Sequence, residues 1–271
     1  TPKVRELRKT MLQFLLVKHP LDCPVCDKGG ECDLQDYVYE YGLQKTEYHL
    51  DEPAKAYPIF STPAIKYHPR RCILCGRCIR TCREVVGREV LDLRGTGFDA
   101  RVEAVRPERC ISCGECLAAC PVGALTENIS PIKGRIWQAK RISTICGYCG
   151  VGCSLEVNVV GNRLIKVTTR EGLGTNDGVL CVKGRFGYDF VNSPERLRTP
   201  LIRKDGALRP AGWDEAVAWV SDKLKEIQHR YGSDSIAGLA SARATCEENY
   251  LFQKFLRACL GTNNVDHCAR L

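Results

Sequence analysis

Cys146, Cys149 and Cys153 crowd one short turn, and a fourth cysteine returns later in Cys181-Val182-Lys183-Gly184. Three thiolates in one knuckle plus a distant fourth can close a cubane iron–sulfur cluster, which needs four soft ligands converging on one centre. Tetrahedral zinc also takes four cysteines, but its sites usually pair two short Cys-x2-Cys knuckles, whereas here three ligands share one. Lys183, just past the last ligand, adds a fixed cation beside the cluster. A second set reads His19-x3-Cys23-x2-Cys26-x5-Cys32, with Gly29 and Gly30 supplying a tight loop that folds Cys32 back. His19 supplies the fourth ligand that the three cysteines lack. A neutral imidazole in place of a thiolate makes such a cluster less negative and favours its reduced state.

Between these sets the chain repeats itself. Cys72, Cys75, Cys78 and Cys82 recur at the same spacing as Cys110, Cys113, Cys116 and Cys120, and Pro121 completes the second run. This Cys-x2-Cys-x2-Cys-x3-Cys-Pro pattern is that of two-cluster bacterial ferredoxins, in which the fourth cysteine ligates the other cluster. The resemblance implies that Cys72, Cys75, Cys78 and Cys120 hold one cubane and that Cys110, Cys113, Cys116 and Cys82 hold the other. Cys82 is followed by Arg83 instead of proline, which leaves ligation intact.

Eighteen cysteines in 271 residues dominate the composition, and nearly all fall in short-spaced runs with no secretory signal before them. That argues against disulfides and for a reducing compartment, the cytoplasm. No apolar run approaches the ~18 residues of a membrane span. The formal charge of +8 counts the cysteines as neutral. Four oxidised cubanes on these ligands would contribute roughly −7, so the basic excess balances clusters and does not point to nucleic acid.

These ligands need elements to hold them. Val4, Leu7, Met11, Leu12 and Leu15 fall on one helical face opposite Arg5, Arg8 and Lys9, which predicts an amphipathic helix over 4–17 ending at His19-Pro20. Four prolines mark 51–69 as a linker. Alternating residues predict one hairpin across 90–105, turning at Gly95-Thr96-Gly97, and another across 155–167, turning at Gly161-Asn162. Beyond 200, Trp213, Val217, Val220, Leu224, Ile227 and Tyr231 predict a packed helix, with Asp214 and Glu215 in its first turn and Gly232 at its end. A strand over 236–240, a polar loop over 241–245 and a helix over 247–260 then read as the start of a parallel α/β sheet, whose ligands bind beyond the strands' carboxyl ends. Arg243 lies in that loop. Cys246, Cys259 and Cys268 have no ligand-like spacing and read as buried small hydrophobes.

The fold class that follows is α+β. Its domains are a cluster domain with one histidine and three cysteine ligands plus a linker over 1–66, a ferredoxin-like two-cluster domain over 67–138, a third cluster domain over 139–200, and an incomplete α/β domain over 201–271.

The His19 segment resembles the cluster segment of the large iron–sulfur subunit of NADH–quinone oxidoreductases, and of NAD-linked hydrogenases and formate dehydrogenases. In that family a 2Fe–2S domain lies upstream, and the opening Thr-Pro without methionine creates the expectation that such residues precede this chain. The Cys146 knuckle with Cys181-Val-Lys-Gly-Arg185, Leu197-Arg-Thr-Pro-Leu201 and Trp213-Asp-Glu-Ala216 is similar to the N-terminal part of bis-molybdopterin oxidoreductases. The ending Gly261-Thr-Asn-Asn-Val-Asp-His-Cys-Ala-Arg-Leu271 looks like formate dehydrogenase catalytic subunits.

The resemblance implies four 4Fe–4S clusters and, in the full protein, a bis-molybdopterin guanine dinucleotide carrying molybdenum or tungsten. It makes Lys183 the relay between cluster and pterin, and puts Arg243, Glu247 and Asn249 near the pterin pocket. The implied reaction is reversible oxidation of formate to carbon dioxide, with electrons passing to a flavin- and NAD(P)-binding subunit or a ferredoxin. The metal-ligating cysteine or selenocysteine and a histidine are expected just after Leu271. No catalytic residue then lies within 1–271, and this stretch alone is expected to be inactive. Rival readings are a nitrate reductase, which shares the Cys146 knuckle, and an electron-transfer subunit with no active site. An iron–iron hydrogenase shares only the earlier cluster motifs.

Overall fold

The computed structural model describes residues 1–49, 60–129 and 134–268. These form two compact units, one made of 1–144 and 153–189 and the other of 145–152 and 190–271.

The first unit begins with α1 (Pro2–Leu16), capped by the Thr1 hydroxyl. The predicted helix is present, but of its apolar stripe only Leu12 is buried. Val4, Leu7, Met11 and Leu15 are exposed, while Leu12, Gln13 and Leu16 are buried. Its arginines cause this: on α2 (Asp33–Glu40), Arg5 donates to the Glu40 carbonyl at 2.7 Å and stacks on Tyr41, and Arg8 reaches the Tyr41 hydroxyl. Cations at the carboxyl end of α2 satisfy its last carbonyl and its dipole.

The expected linker is shorter than its prolines suggest. Residues 50–59 lie outside the described residues, but Ala64 and Ile65 are fully buried, and β1 (Ile65–Tyr67) pairs antiparallel with β4 (Leu125–Glu127). Between them, α3 (Arg77–Arg80) leads to the hairpin of β2 (Leu91–Arg94) and β3 (Arg101–Ala104), and α4 (Glu115–Ala119) follows.

The sequence repeat is also a backbone repeat. Leu74 and Ser112 both take positive φ (56° and 53°), and Gly76 and Gly114 start α3 and α4 in the left-handed region. The exits differ. Past α3 the chain widens into a π-turn over Thr81–Val85, closed by Val86 N–H on the Thr81 carbonyl. Arg83 supplies a backbone N–H in that turn; α4 instead stops at Ala119, so Pro121 does no harm.

A three-stranded sheet of β5 (Lys140–Ile145), β6 (Ser154–Val160) and β7 (Arg163–Thr168) follows, turning at Gly161 as expected, and then α5 (Val182–Phe186).

The second unit contains α6 (Asp189–Asn192, its first residue in the other unit), the hairpin of β8 (Leu201–Lys204) and β9 (Ala207–Pro210), and α7 (Trp213–Tyr231). Next come β10 (Gly238–Ala240), α8 (Cys246–Ala258) and β11 (Val265–His267). β10 and β11 pair in parallel, as the α/β reading requires. The core here is small: Ile236, Leu256 and Leu260, with Leu224, Phe252 and Val265 against them. α7 has the expected bounds but buries none of its residues, and Trp213, Val217, Val220 and Tyr231 stay exposed. Among the described residues no helix is long and apolar enough to cross a membrane.

Candidate metal centres and the loop beyond β10

Local backbone geometry buries Cys78, Cys82 and Cys120 and half-buries Cys72, Cys110, Cys113 and Cys116, while Cys75 stays exposed. Each positive-φ residue between two ligands folds its Cys-x2-Cys step into a tight loop, and the following glycine lets the next cysteine start a helix. Burial pushes the Cys78 thiol up to about 12, and Cys72, Cys120 and Cys75 push the same way. Burial also raises Cys116, whose charged neighbours are Cys113, Cys78, Cys110 and Cys82. Cys120, the last cysteine of the second motif, is thus among the thiols acting on Cys78, and Cys82 and Cys78 of the first motif are among those acting on Cys116. Burial is the main cause of the raised Cys72 and Cys113 thiols as well. The buried Tyr67 hydroxyl hydrogen-bonds Cys72, and Val90 N–H donates to Cys82 Sγ at 3.4 Å. Such donors stabilise a thiolate or the sulfur of a reduced cluster.

In the His19 segment, burial raises Cys32, with Cys26 and Cys23 as its nearest thiol neighbours. Burial lowers the His19 imidazole, keeping it neutral and able to ligate. Gly30 sits at φ 87°, and a Cβ there would collide with the Trp137 ring. Arg135 closes the loop by donating to the Cys26 carbonyl at 2.8 Å and to that of Pro24.

The last set falls on both units: Cys153 and Cys181 in the first, Cys146 and Cys149 in the second. Lys183 is exposed in the first turn of α5, two residues after Cys181.

The loop after β10 is built around Asn249, whose amide donates to the carbonyls of Ser241, Ala244 and Thr245. Thr245 and Glu248 form a capping box that starts α8. Arg243 is exposed, its guanidinium 5.8 Å from the Tyr148 ring, and Glu247 is exposed in the first turn of α8. The three remaining cysteines are not buried. Cys246, Cys259 and Cys268 are all exposed, because the small core of the second unit covers only the face of α8 that carries Phe252 and Leu256. The Ser241 hydroxyl, 3.6 Å away, lowers the Cys268 thiol.

Four families match successive segments. They are the NADH-ubiquinone oxidoreductase-G iron-sulfur binding region over 8–47, the 4Fe-4S dicluster domain over 71–124, the molybdopterin oxidoreductase Fe4S4 domain over 139–193 and molybdopterin oxidoreductase over 196–271. The chain is a run of 4Fe–4S regions followed by the start of a molybdopterin oxidoreductase domain. It is 40% identical to the G 2 subunit of an NADH-quinone oxidoreductase of Rhizobium meliloti, over 100% of this chain and 32% of that protein. It is 38% identical to the NADPH-Fe(3+) oxidoreductase subunit alpha of Geobacter sulfurreducens, over 99% of the chain and 31% of the relative. A putative formate dehydrogenase of Staphylococcus aureus is 33% identical over 98% and 31%. An NAD+-reducing NiFe-hydrogenase structure aligns with half of the chain at 29% identity and a TM-score of 0.45, covering 60% of that chain. The chain thus spans about a third of the length of the curated relatives it matches.

The residues of these 4Fe–4S regions suit the groups their families imply. His19 Nδ1 is buried with no hydrogen-bond partner, an orphan that a ring completed by a further group would explain. Among the described residues, no three His, Cys, Asp or Glu side chains close tightly enough to grip one ion. What fits a 4Fe–4S core is the donor chemistry of the cysteine runs, soft thiolates of which each binds a different iron atom.

Sequence reasoning left unassigned two arginines beside these sets. Arg71 holds Asp22 through Nε at 3.1 Å and Nη2 at 2.5 Å. Arg185 donates to the Cys113 carbonyl at 3.1 Å and to Glu115 Oε1 at 2.5 Å. Their only signal was position, each within a few residues of a ligand cysteine.

Proposed function

We propose that this chain is the electron wire and first pterin-facing segment of a formate-oxidising molybdopterin enzyme. What supports the wire is that Cys120 acts on Cys78 of the first motif and Cys82 acts on Cys116 of the second. On this reading Cys72, Cys75, Cys78 and Cys120 hold one 4Fe–4S cluster, and Cys110, Cys113, Cys116 and Cys82 hold a second. His19, Cys23, Cys26 and Cys32 hold a third, and Cys146, Cys149, Cys153 and Cys181 a fourth. The four-part domain division is part of the same proposal.

A bis-molybdopterin guanine dinucleotide with molybdenum or tungsten supplies two-electron chemistry at formate in the whole protein. This chain's residues hold and pass the electrons. Lys183 places a cation close to Cys181 in sequence, where it favours an arriving electron. The exposed Arg243 offers an anion-binding charge beyond the carboxyl end of β10, with Glu247 and Asn249 framing the loop. The buried Cys78, Cys82 and Cys120 and the donors to Cys72 and Cys82 shield part of the wire from water and help set its potentials. The acceptor is a flavin- and NAD(P)-binding subunit or a ferredoxin, in a reducing cytoplasm. The relatives named for NADH-quinone oxidoreductase and the putative formate dehydrogenases support this reading.

A second reading, an electron-transfer subunit without substrate chemistry, is favoured by the 40% identity to the Rhizobium meliloti protein. Formate-dependent viologen reduction by the full-length protein, with its molybdenum and tungsten content, separates the two. Formate-driven reduction with bound metal supports the first; a four-cluster protein with neither leaves the second.

A further inference from the structure

We propose that Arg71–Asp22 and Arg185–Glu115 are clamps between successive clusters: positioning residues that fix the separation and orientation across which electrons pass. The proposal rests on the cluster reading above, and the four residues of the two ion pairs all lie within the first unit.

Placement carries the argument. Arg71 immediately precedes Cys72, and Asp22 immediately precedes Cys23, so their ion pair joins the His19 set to the first ferredoxin-like set. Glu115 immediately precedes Cys116, and Arg185 lies one helical turn past Cys181, with its own N–H on the Cys181 carbonyl at 3.0 Å. That pair joins the second ferredoxin-like motif to the segment that carries Cys181 at the start of α5. At the junction between the two ferredoxin-like motifs, Glu89 pairs with Arg106 at 2.7 Å and with Arg109, which immediately precedes Cys110, at 3.1 Å, but these pairs are exposed, and on the cluster reading Cys82 and Cys120 already cross there.

The backbones close up at the same two places. Asp33 N–H donates to the Pro121 carbonyl at 2.9 Å, and a Cβ on Gly123 would overlap Cys26 Sγ. At the other junction, a Cβ on Gly114 would overlap Arg185 Cδ, and Glu115 Oε1 also accepts Leu180 N–H at 2.8 Å. A further pair, Arg77–Asp33 at 3.2 Å, spans the first junction in water, where screening leaves it little strength.

Burial separates the clamps from that surface pair. Arg185 and Glu115 are 5% and 7% exposed, so that clamp is fully buried; in the other, Arg71 is 11% exposed and Asp22 34%, so it is half-buried. A buried ion pair is a poor way to add stability, since apolar residues of the same volume often do as well. What it adds is register. A planar fork with donors in fixed directions can meet a carboxylate and a carbonyl together, as Arg185 does, whereas a lysine ammonium acts as a point charge.

The test uses the full chain loaded with iron and sulfide. Arg185→Lys and Arg71→Lys keep the charge and lose the fork; Glu115→Gln and Asp22→Asn keep the shape and lose the charge. Three quantities are read: iron and sulfide per chain, the spin–spin interaction between reduced clusters in electron paramagnetic resonance, and the rate at which a photo-injected electron equilibrates among them. The expected result is unchanged iron in both lysine variants. Each should weaken the interaction at its own junction only and slow exchange there about tenfold, as small misplacements of reacting groups do. Unchanged interaction and exchange in fully loaded lysine variants would overturn the proposal. So would loss of all iron from the lysine and amide variants alike, which would make the pairs struts of the fold. Wild-type chain that takes up no iron would sink the cluster reading itself, a different result from either.

Discussion

Glu115 shows how much one side chain can hold. Its Oε1 accepts from both the Arg185 guanidinium and Leu180 N–H in a site nearly closed to water. Glu115→Ala strands a buried charge and an amide, so a loss of about 3–5 kcal/mol is expected in denaturant unfolding of the iron-loaded chain. Gly123→Ala acts differently. Its backbone would tolerate alanine, but the new methyl would sit on Cys26 Sγ. Overpacking of this kind costs about 1–3 kcal/mol, and it falls on a ligand. Iron analysis should show about a quarter of the iron missing, with the ferredoxin-like signals intact. The 4Fe–4S regions were legible because cysteine spacing is a local property of the chain. Arg71, Asp22, Arg185 and Glu115 were not, since an arginine shows its partner only once the fold has brought distant segments together.

Among the elements, the two ferredoxin-like motifs look interchangeable in sequence but leave their clusters by different backbones. Introducing proline after Cys82, as Arg83→Pro, would make the motifs match in letters. It would also remove a helical N–H within the π-turn over Thr81–Val85 and cost about 3 kcal/mol or more. Thermal unfolding of the loaded chain should register it, whereas Pro121→Ala should be nearly silent. The hairpins and helices were legible from alternation and period. The exposure of most of the α1 stripe was not, because a hydrophobic stripe says which face is apolar and nothing about what arrives to cover it. There the arginine contacts with α2 decided the orientation. The same gap explains α7, whose apolar face lines an open groove of about 430 Å³ with Phe255 and Leu260. Val217→Lys with Val220→Glu is expected to lower binding of a hydrophobic dye and raise solubility, with iron content unchanged.

For the molecule as a whole, burial raises several ligand thiols, so without metal they are protonated at neutral pH. Each thiol that becomes a ligand must then release a proton. Cluster uptake should strengthen as pH rises toward the raised thiol values and weaken as pH falls. Iron retention under a fixed chelator concentration, followed from neutral pH downward, checks this; retention independent of pH would contradict it. The proposed exchange of Cys82 and Cys120 has a further consequence, for the unfolded chain. Two loops of roughly 30 and 50 residues would be closed through metal, as disulfides close them elsewhere, and on the chain-entropy account each closure removes about 4 kcal/mol of unfolded-state freedom. The clusters are then removable cross-links as well as carriers. Oxidative loss of both opens the two loops together, leaving a protein that has lost its constraint along with its conductivity.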